Sequence, residues 1–309
     1  MAPILSAARF HTEEAAFEYV EALLWPTGPV CPHCGNADAA RIGRLQGKTT
    51  RPGLRKCYEC RKPFTVRMGT VFESSHAPLR TWLQAMHLLC SSKKGISTRQ
   101  LHRTLGVSLK TAWFMGHRIR EAMKPLPEAS GPLGSGGKTV EADEMYLTNS
   151  PKTRKRADGQ RRYMQVLSLV ERDGETRSMF IDHSNMTSVR AGIYRHVSPE
   201  ARLVTDAAAY HKGAPVAKHE SVDHSKKEWV RGDVHTNTLE GFFSIFKRGM
   251  IGVYQHMDAK HLDRYLAEFD FRQNNRAKLG VDDAERTRRA IQGAKGKRLT
   301  YQTTGSQGA

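Results

Sequence analysis

The stretch His235-Thr-Asn-Thr-Leu-Glu-Gly-Phe-Phe-Ser-Ile-Phe-Lys-Arg248 decides how the rest of the chain is read. Wound as a helix at about 100° per residue, it gathers Leu239, Phe242, Phe243, Phe246 and Met250 on one side. Asn237, Glu240, Ser244 and Lys247 gather on the other. Glu240 and Lys247 lie nearly two turns apart, so the carboxylate and the amine stand one above the other. The apolar back must pack on something. By itself the polar front is an ordinary solvated face, and its chemistry depends on what the rest of the chain brings to it.

Working outward, the 309 residues carry 49 Lys and Arg against 31 acidic residues, a formal charge of +18. A surplus of that size points to a polyanion, nucleic acid before an anionic membrane surface. No apolar run reaches the roughly 20 residues that span a bilayer. The start, Met-Ala-Pro-Ile-Leu-Ser, lacks the basic and apolar regions of a secretion signal. A cytoplasmic, DNA- or RNA-binding protein is expected.

Upstream, residues 11–24 read as a short amphipathic helix capped by Thr12. Then come Cys31-Pro-His-Cys34 and Cys57-Tyr-Glu-Cys60, four of the five cysteines. Each CxxC knuckle aims two thiolates at one point, and two knuckles complete a closed tetrahedral zinc site. Four protein ligands leave no open position, so the metal is structural. The fifth, Cys90, reads as a small buried apolar residue. Helices follow at 79–89, at 97–105 after Ser97, and from Ser108 to about Met123, with Gly106-Val107 as the turn between the last two. This is a helix-turn-helix plan. Lys110, Thr111, His117 and Arg118 are its candidate DNA contacts, while Trp113, Ile119 and Met123 face inward.

The Pro/Gly/Ser-rich stretch 126–137 is the clearest linker. The domains expected are an N-terminal helix with zinc ribbon (1–75), a helix-turn-helix domain (76–125), the linker (126–137), a catalytic domain (138–283) and a basic tail (284–309) that ends in disorder. After the linker come strands at 139–147, 163–170 and 177–182, with Glu171-Arg-Asp-Gly174 as a hairpin turn. A crossover helix at 186–197, a strand at 202–206, a weaker strand at 216–222, the opening helix and a helix at 259–274 complete the series. Three consecutive strands, a helix, a strand and then helices describe an α/β fold, a ribonuclease-H-like mixed sheet with flanking helices.

In such a sheet the first and fourth strands run side by side, so Asp143 and Asp206 reach one sheet edge and Glu240 supplies a third carboxylate. Clustered acids repel one another unless cations neutralise them. Oxygen-only ligands with spare positions suit Mg²⁺ or Mn²⁺. Two such ions about 3.5–4 Å apart clamp the attacking and leaving oxygens of a phosphoryl transfer. Glu144 points to the opposite face of a regular strand and is not counted.

The order CPHCG…CYEC, helix-turn-helix, VEADEMYL, LVTDAAAYH and HTNTLEGFFSIFKRG…KHLDRYLAEFDFRQNNR closely resembles bacterial insertion-sequence transposases with a zinc ribbon and a DDE catalytic domain. The likeness runs from about residue 10 to residue 276, and the final block is its most specific part. It implies that Asp143, Asp206 and Glu240 form the metal-binding triad and that Lys247 contacts a terminal phosphate. Some members use asparagine in the third acidic role, and Asn237, one turn before Glu240, matches it, so either residue fits. The Gly-rich segment that often follows the first Asp-Glu pair is Thr148-Asn-Ser-Pro-Lys here. The reaction implied is water attack at the transposon end, then attack of the freed 3′-hydroxyl on target DNA. The implied partners are double-stranded DNA, at terminal inverted repeats and target, and a second copy of the chain, because two ends must be paired. Lys152, Arg154, Lys155 and Arg156, with Arg161 and Arg162, are candidates to neutralise backbone phosphates. His235 and Arg248 are further candidate DNA contacts.

Two other readings differ in class. His261-Leu-Asp-Arg264 with Tyr301 matches the short HxxR string of tyrosine recombinases, which would form a covalent adduct without divalent metal. Alternatively, the chain is an inactive or domesticated zinc-ribbon, helix-turn-helix DNA-binding protein, a reading that the presence of all three acids and Lys247 opposes.

Overall fold

The structure is a computed structural model and describes residues 3–125, 131–148, 163–181, 186–207, 211, 213–255 and 257–300. Two compact units account for the chain. One comprises Met1–Ser92, Ile96–Lys124 and Asp282–Ala309, the other Lys93–Gly95 and Pro125–Val281.

In the first unit, α1 (Glu13–Leu24) begins where the Thr12 hydroxyl accepts from Ala15 N. It buries Phe17, Val20 and Leu24. Strands β1 (Ile42–Arg44), β2 (Arg55–Cys57) and β3 (Pro63–Phe64) form a three-stranded antiparallel sheet. Its small core of Cys31, Ile42, Cys57 and Phe64 is covered by Trp25. Helix α2 (Leu79–Ser91) follows Pro78, which offers no side-chain cap. Glu13 of α1 substitutes, its carboxylate accepting from Leu79 N at 2.7 Å and Arg80 N at 3.1 Å. Negative charge at a helix start satisfies the free N–H groups and opposes the dipole favourably.

Helices α3 (Thr98–Leu105) and α4 (Leu109–Met123) are capped by Ser97 and Ser108, and Gly106 closes α3 at φ +65°. A left-handed residue at that position ends the helix, and only glycine takes it without a Cβ penalty. Cys90 is fully buried, as expected. The basic tail expected from residue 284 begins instead as helix α8 (Asp283–Gln292), capped by Asp282. It packs in this unit through buried Ala290 and Ile291, with a His87–Thr287 side-chain hydrogen bond of 3.1 Å and a 2.9 Å bond from Arg286 to the Cys90 carbonyl. High charge concealed a helix whose arginines serve the interior.

The second unit is built on a five-stranded mixed sheet. Its strands are β4 (Thr139–Thr148), β5 (Tyr163–Glu171), β6 (Thr176–Ile181), β7 (Arg202–Asp206) and β8 (Lys218–Val222), in the order β6-β5-β4-β7-β8. The first three pair antiparallel, while β7 and β8 join parallel to β4. This is the ribonuclease-H-like arrangement expected. Helix α5 (Met186–His196) covers one face with Val189 and Ile193 against Val140, Ala142, Leu167 and Leu203. Helices α6 (Asn237–Gly249) and α7 (Leu262–Asn274) cover the other. Leu239, Phe242, Phe243 and Phe246 of α6 pack there against Met145, Leu147 and Val166. The apolar back of the opening stretch is therefore the lid of this core. On α7 the inward set is Leu262, Tyr265, Leu266 and Phe269, and Phe271 is only half-buried.

Strand β6 is an edge, and α7 covers its open hydrogen-bonding side. Asp270 accepts from Ser178 N and Ser178 Oγ, both at 2.7 Å, and Asn274 both accepts from Thr176 N and donates to Thr176 O. Side chains one helical turn apart thus stand in for a neighbouring strand.

Candidate active site and zinc ribbon

The four ribbon cysteines converge. Their Sγ atoms all lie within 4.8 Å of one another, with Cys31–Cys60 at 3.6 Å and Cys34–Cys57 at 3.7 Å. Thiolates about 2.3 Å from a tetrahedral zinc sit at such spacings. The Cys57 thiol is pulled down to about 6, chiefly by the Cys60 backbone N–H. At Cys34 the Asn36 backbone N–H pulls the same way, but desolvation and the three neighbouring thiols outweigh it and push the thiol up to about 12. Holding all four as thiolates therefore takes a cation among them. Among the described residues this is the one cluster of three or more ligand-type side chains that closes to that distance.

The acids of the sheet are organised differently. β4 and β7 pair through Glu141 and Val204, and two residues further on each strand stand Asp143 and Asp206, level with each other. Burial and the neighbouring Asp206 charge push the Asp143 carboxyl up to about 7, against a 2.7 Å hydrogen bond from Glu144 N. Two carboxylates held level on adjacent strands, one already reluctant to ionise, fit a site for a divalent cation. Glu240 lies exposed on α6 and accepts from Thr236 Oγ1 at 3.3 Å. It does not close on the two aspartates within metal-sharing distance. Asn237, Ser244 and Lys247 are exposed on the same side of α6, as the helical reading required.

Sequence reasoning missed the groups that hold this arrangement. Glu141, two residues before Asp143, is fully buried, and its carboxylate caps α6. It accepts from Thr238 N at 3.0 Å, Leu239 N at 3.2 Å and Thr238 Oγ1 at 2.9 Å. Arg172 neutralises it at 2.9 Å and donates to the His235 carbonyl at 3.0 Å. The first strand of the site is thus tied to the first turn of the helix carrying Asn237 and Glu240. Glu144 faces the α5 side, as expected. It meets buried His211 at 3.5 Å, and His211 lies 3.4 Å from Asp206. Burial opposes charge on His211, but Asp206 and Glu144 outweigh it and push its pKa up to about 9. The signal was in the sequence as VEADE and DAAAYH, but only the fold brings these residues together.

Two expected DNA contacts on α4 are corrected. His117 and Arg118 are buried in the first unit. Arg118 donates to the carbonyls of Val71 and Glu73 at 2.9 and 2.7 Å and stacks on Phe114, while His117 lies against Trp113. The helix turns its Arg inward because three loop carbonyls need a donor there, Leu299 O being the third. Lys110 is exposed and Thr111 is half-buried, hydrogen-bonded to Ser108. His235 is half-buried against Glu141, and Arg248 is exposed with its Nε on the Ser244 carbonyl. Lys152, Arg154, Lys155, Arg156, Arg161, Arg162 and Tyr301 lie outside the described residues. No helix among the described residues is long and apolar enough to cross a membrane.

Two family models match parts of the chain. Residues 134–274 match the ISXO2-like transposase domain and residues 11–63 the transposase zinc-ribbon domain. An uncharacterized protein of the transposable element ISH50 from Halobacterium salinarum is 26% identical over 287 residues, spanning 88% of this chain and 95% of that one. Among solved structures, a pre-cleavage Mos1 transpososome is 13% identical over 68% of this chain and 73% of its own, with a TM-score of 0.28. The Mos1 mariner paired-end complex with Mn is 14% identical over the same shares, at 0.27. Both are loose likenesses, and the fold stands on the strand order above. The two matches fall in chain order, a transposase zinc-ribbon model on residues 11–63 and an ISXO2-like transposase-domain model on residues 134–274.

Proposed function

We propose that the chain is an active DDE transposase that cuts the ends of its own insertion sequence and joins the freed 3′-hydroxyl to target DNA. The observation that carries this reading is the level placement of Asp143 and Asp206 on adjacent parallel strands, with Asp143 pushed up to about 7 by burial and by its neighbour. Divalent ions, two of Mg²⁺ or Mn²⁺, would supply Lewis-acid activation of water and neutralise charge on the phosphoryl oxygens. Asp143 and Asp206 hold them from the sheet. Glu240 is the third acid, with Asn237 beside it on the same exposed face as the alternative ligand. The Glu141–Arg172 tether fixes α6 so that these side chains meet the sheet in one orientation. Lys247, two turns along that face, grips a terminal phosphate and moves no proton.

DNA affinity comes from the net charge of +18, Lys110 on α4, Arg248, His235 and the segment carrying Lys152, Arg154, Lys155 and Arg156. The chain acts on the nucleoid in the cytoplasm as a dimer or larger assembly, because two ends are joined. The zinc ribbon binds its metal for structure only. The test is strand transfer with a labelled duplex carrying the inverted repeats that flank the reading frame, in Mg²⁺. Loss of product in Asp206→Asn is expected, and undiminished product in that variant would refute the assignment.

A further inference from the structure

Strand β8 ends at Val222, whose register partner on β7 is Asp206. The chain leaving β8 therefore starts beside the second acid of the site. It runs Asp223-His-Ser-Lys-Lys-Glu-Trp-Val-Arg231, and Trp229 is 58% exposed with exposed Val230 beside it. Large apolar side chains left in water, rimmed by polar residues, mark binding surfaces.

This segment is braced from beneath. The Asp223 carboxylate accepts from Ser225 N at 3.0 Å and Ser225 Oγ at 2.6 Å. Glu228 N donates to Asp223 O at 3.1 Å, and Asp223 N to the Glu228 carboxylate at 3.3 Å. Arg231 donates to Ser221 O, and Lys227 completes the turn in the left-handed region at φ +61°. The His224 ring sits 4.7 Å from the indole, centroid to centroid, tilted by 45°. The charges are sorted by this bracing. The side chains of Asp223 and Glu228 are 26% and 32% exposed, those of Lys226 and Arg231 81% and 55%. Each acid also pairs with one of these cations, Asp223 with Lys226 at 3.4 Å and Glu228 with Arg231 at 3.2 Å, and such solvent-exposed pairs are weak enough for a phosphate to compete for the cation.

We propose that residues 223–231 form a base-binding platform for a single DNA strand, with Trp229 stacking on an unpaired base and Lys226 and Arg231 on the flanking phosphates. The proposal rests on the transposase reading of the neighbouring acids. Reaching a phosphodiester near a duplex end is easier when the adjacent base leaves the stack, and an aromatic face replaces the stacking it gives up. Such a platform tolerates any base, because every base offers a π-face.

The test uses the full chain and fluorescence anisotropy, with a 20-base-pair duplex bearing a ten-nucleotide thymidine overhang and the same duplex with blunt ends. Trp229→Ala is expected to bind the overhang about ten-fold more weakly, ~1.4 kcal/mol, and the blunt duplex unchanged, while Trp229→Phe retains most of the affinity. Equal weakening on both probes, no weakening on either, or a change in self-association in Trp229→Ala would overturn the proposal. The binding assay needs no metal and no cutting. A wild-type chain that never cuts but shows the Trp229-dependent overhang preference would refute the catalytic reading and leave the platform standing.

Discussion

Replacing Glu141 by alanine tests the link between the sheet and the helix that carries the polar front. The side chain is fully buried and receives four hydrogen bonds, two from the α6 backbone, one from Thr238 Oγ1 and one from Arg172. Its removal strands a mostly buried guanidinium, and breaking one side of such a pair costs about 3–5 kcal/mol. The two N–H groups at the start of α6 would each lose about 1–3 kcal/mol if they stayed dry. Water entering at the exposed end of the helix offsets part of that, so about 4 kcal/mol is expected in all. Urea unfolding of the wild type, Glu141→Ala, Arg172→Met and the double variant Glu141→Leu/Arg172→Met measures it. Either single change should cost more than the double, because two apolar side chains leave no charge uncompensated. The double variant should nevertheless cut DNA poorly, since α6 has lost its anchor to β4. A Glu141→Ala loss below about 1 kcal/mol, or additive single costs, would refute this account.

Three further outcomes separate structural from functional residues. Zinc analysis of the purified chain should give one ion per chain, and Cys57→Ser or a strong chelator should remove it and expose residues 31–64 to protease. Arg118→Ala is expected to cost about 2–4 kcal/mol of stability through its three orphaned carbonyls, whereas Lys110→Ala should weaken DNA binding and its salt dependence with stability unchanged. Asp270 has its pKa raised to about 7 by burial, against its two Ser178 bonds. A raised carboxyl contributes stability that is fully present below about pH 4 and lost as pH rises through 7. Asp270→Asn should therefore gain on the wild type between pH 4 and pH 8 by about 2 kcal/mol in urea unfolding, partial exposure keeping the figure low. A parallel pH dependence in the two proteins would count against it.

Local signals carried much of this molecule. Ser97, Ser108 and Thr12 announced their helices because a hydroxyl before an amphipathic run has one main use. The two CxxC knuckles announced their cluster because the geometry is contained in the motif. The α6 pattern was legible because five apolar residues on one side need a core. What was not legible depends on partners far along the chain. Nothing local marks Arg118 as a ligand of loop carbonyls more than 40 residues away, so it read as a surface cation. Nor does VEADE say which of its three acids is buried under a helix, which feels the Asp206 charge and which meets a histidine. α8 was missed because a high density of Arg and Glu mimics a solvated tail, although Asp282 caps it as plainly as Ser97 caps α3.

The division of labour along β4 makes the site depend on strand register. Glu141 and Asp143 face the α6 side and Glu144 the α5 side. A one-residue slip against β5 would reverse all three. Alternation of apolar residues cannot prevent such a slip, because Met164 to Val170 of β5 is buried on both faces. Polar pairs within the sheet are left to do it. Gln165 opposes Tyr146 and donates to its hydroxyl at 3.2 Å. Ser168 opposes Asp143 on one side and Ser178 on the other, bonding Ser178 Oγ at 2.8 Å, and Asp270 of α7 holds Ser178 in turn. Even a two-residue slip, which would keep each face apolar, strands the buried Gln165 and Ser168 at about 1–3 kcal/mol each. The polar residues inside the sheet thus fix the register of β4 on β5, and with it which carboxylates of β4 face α6 and which faces α5.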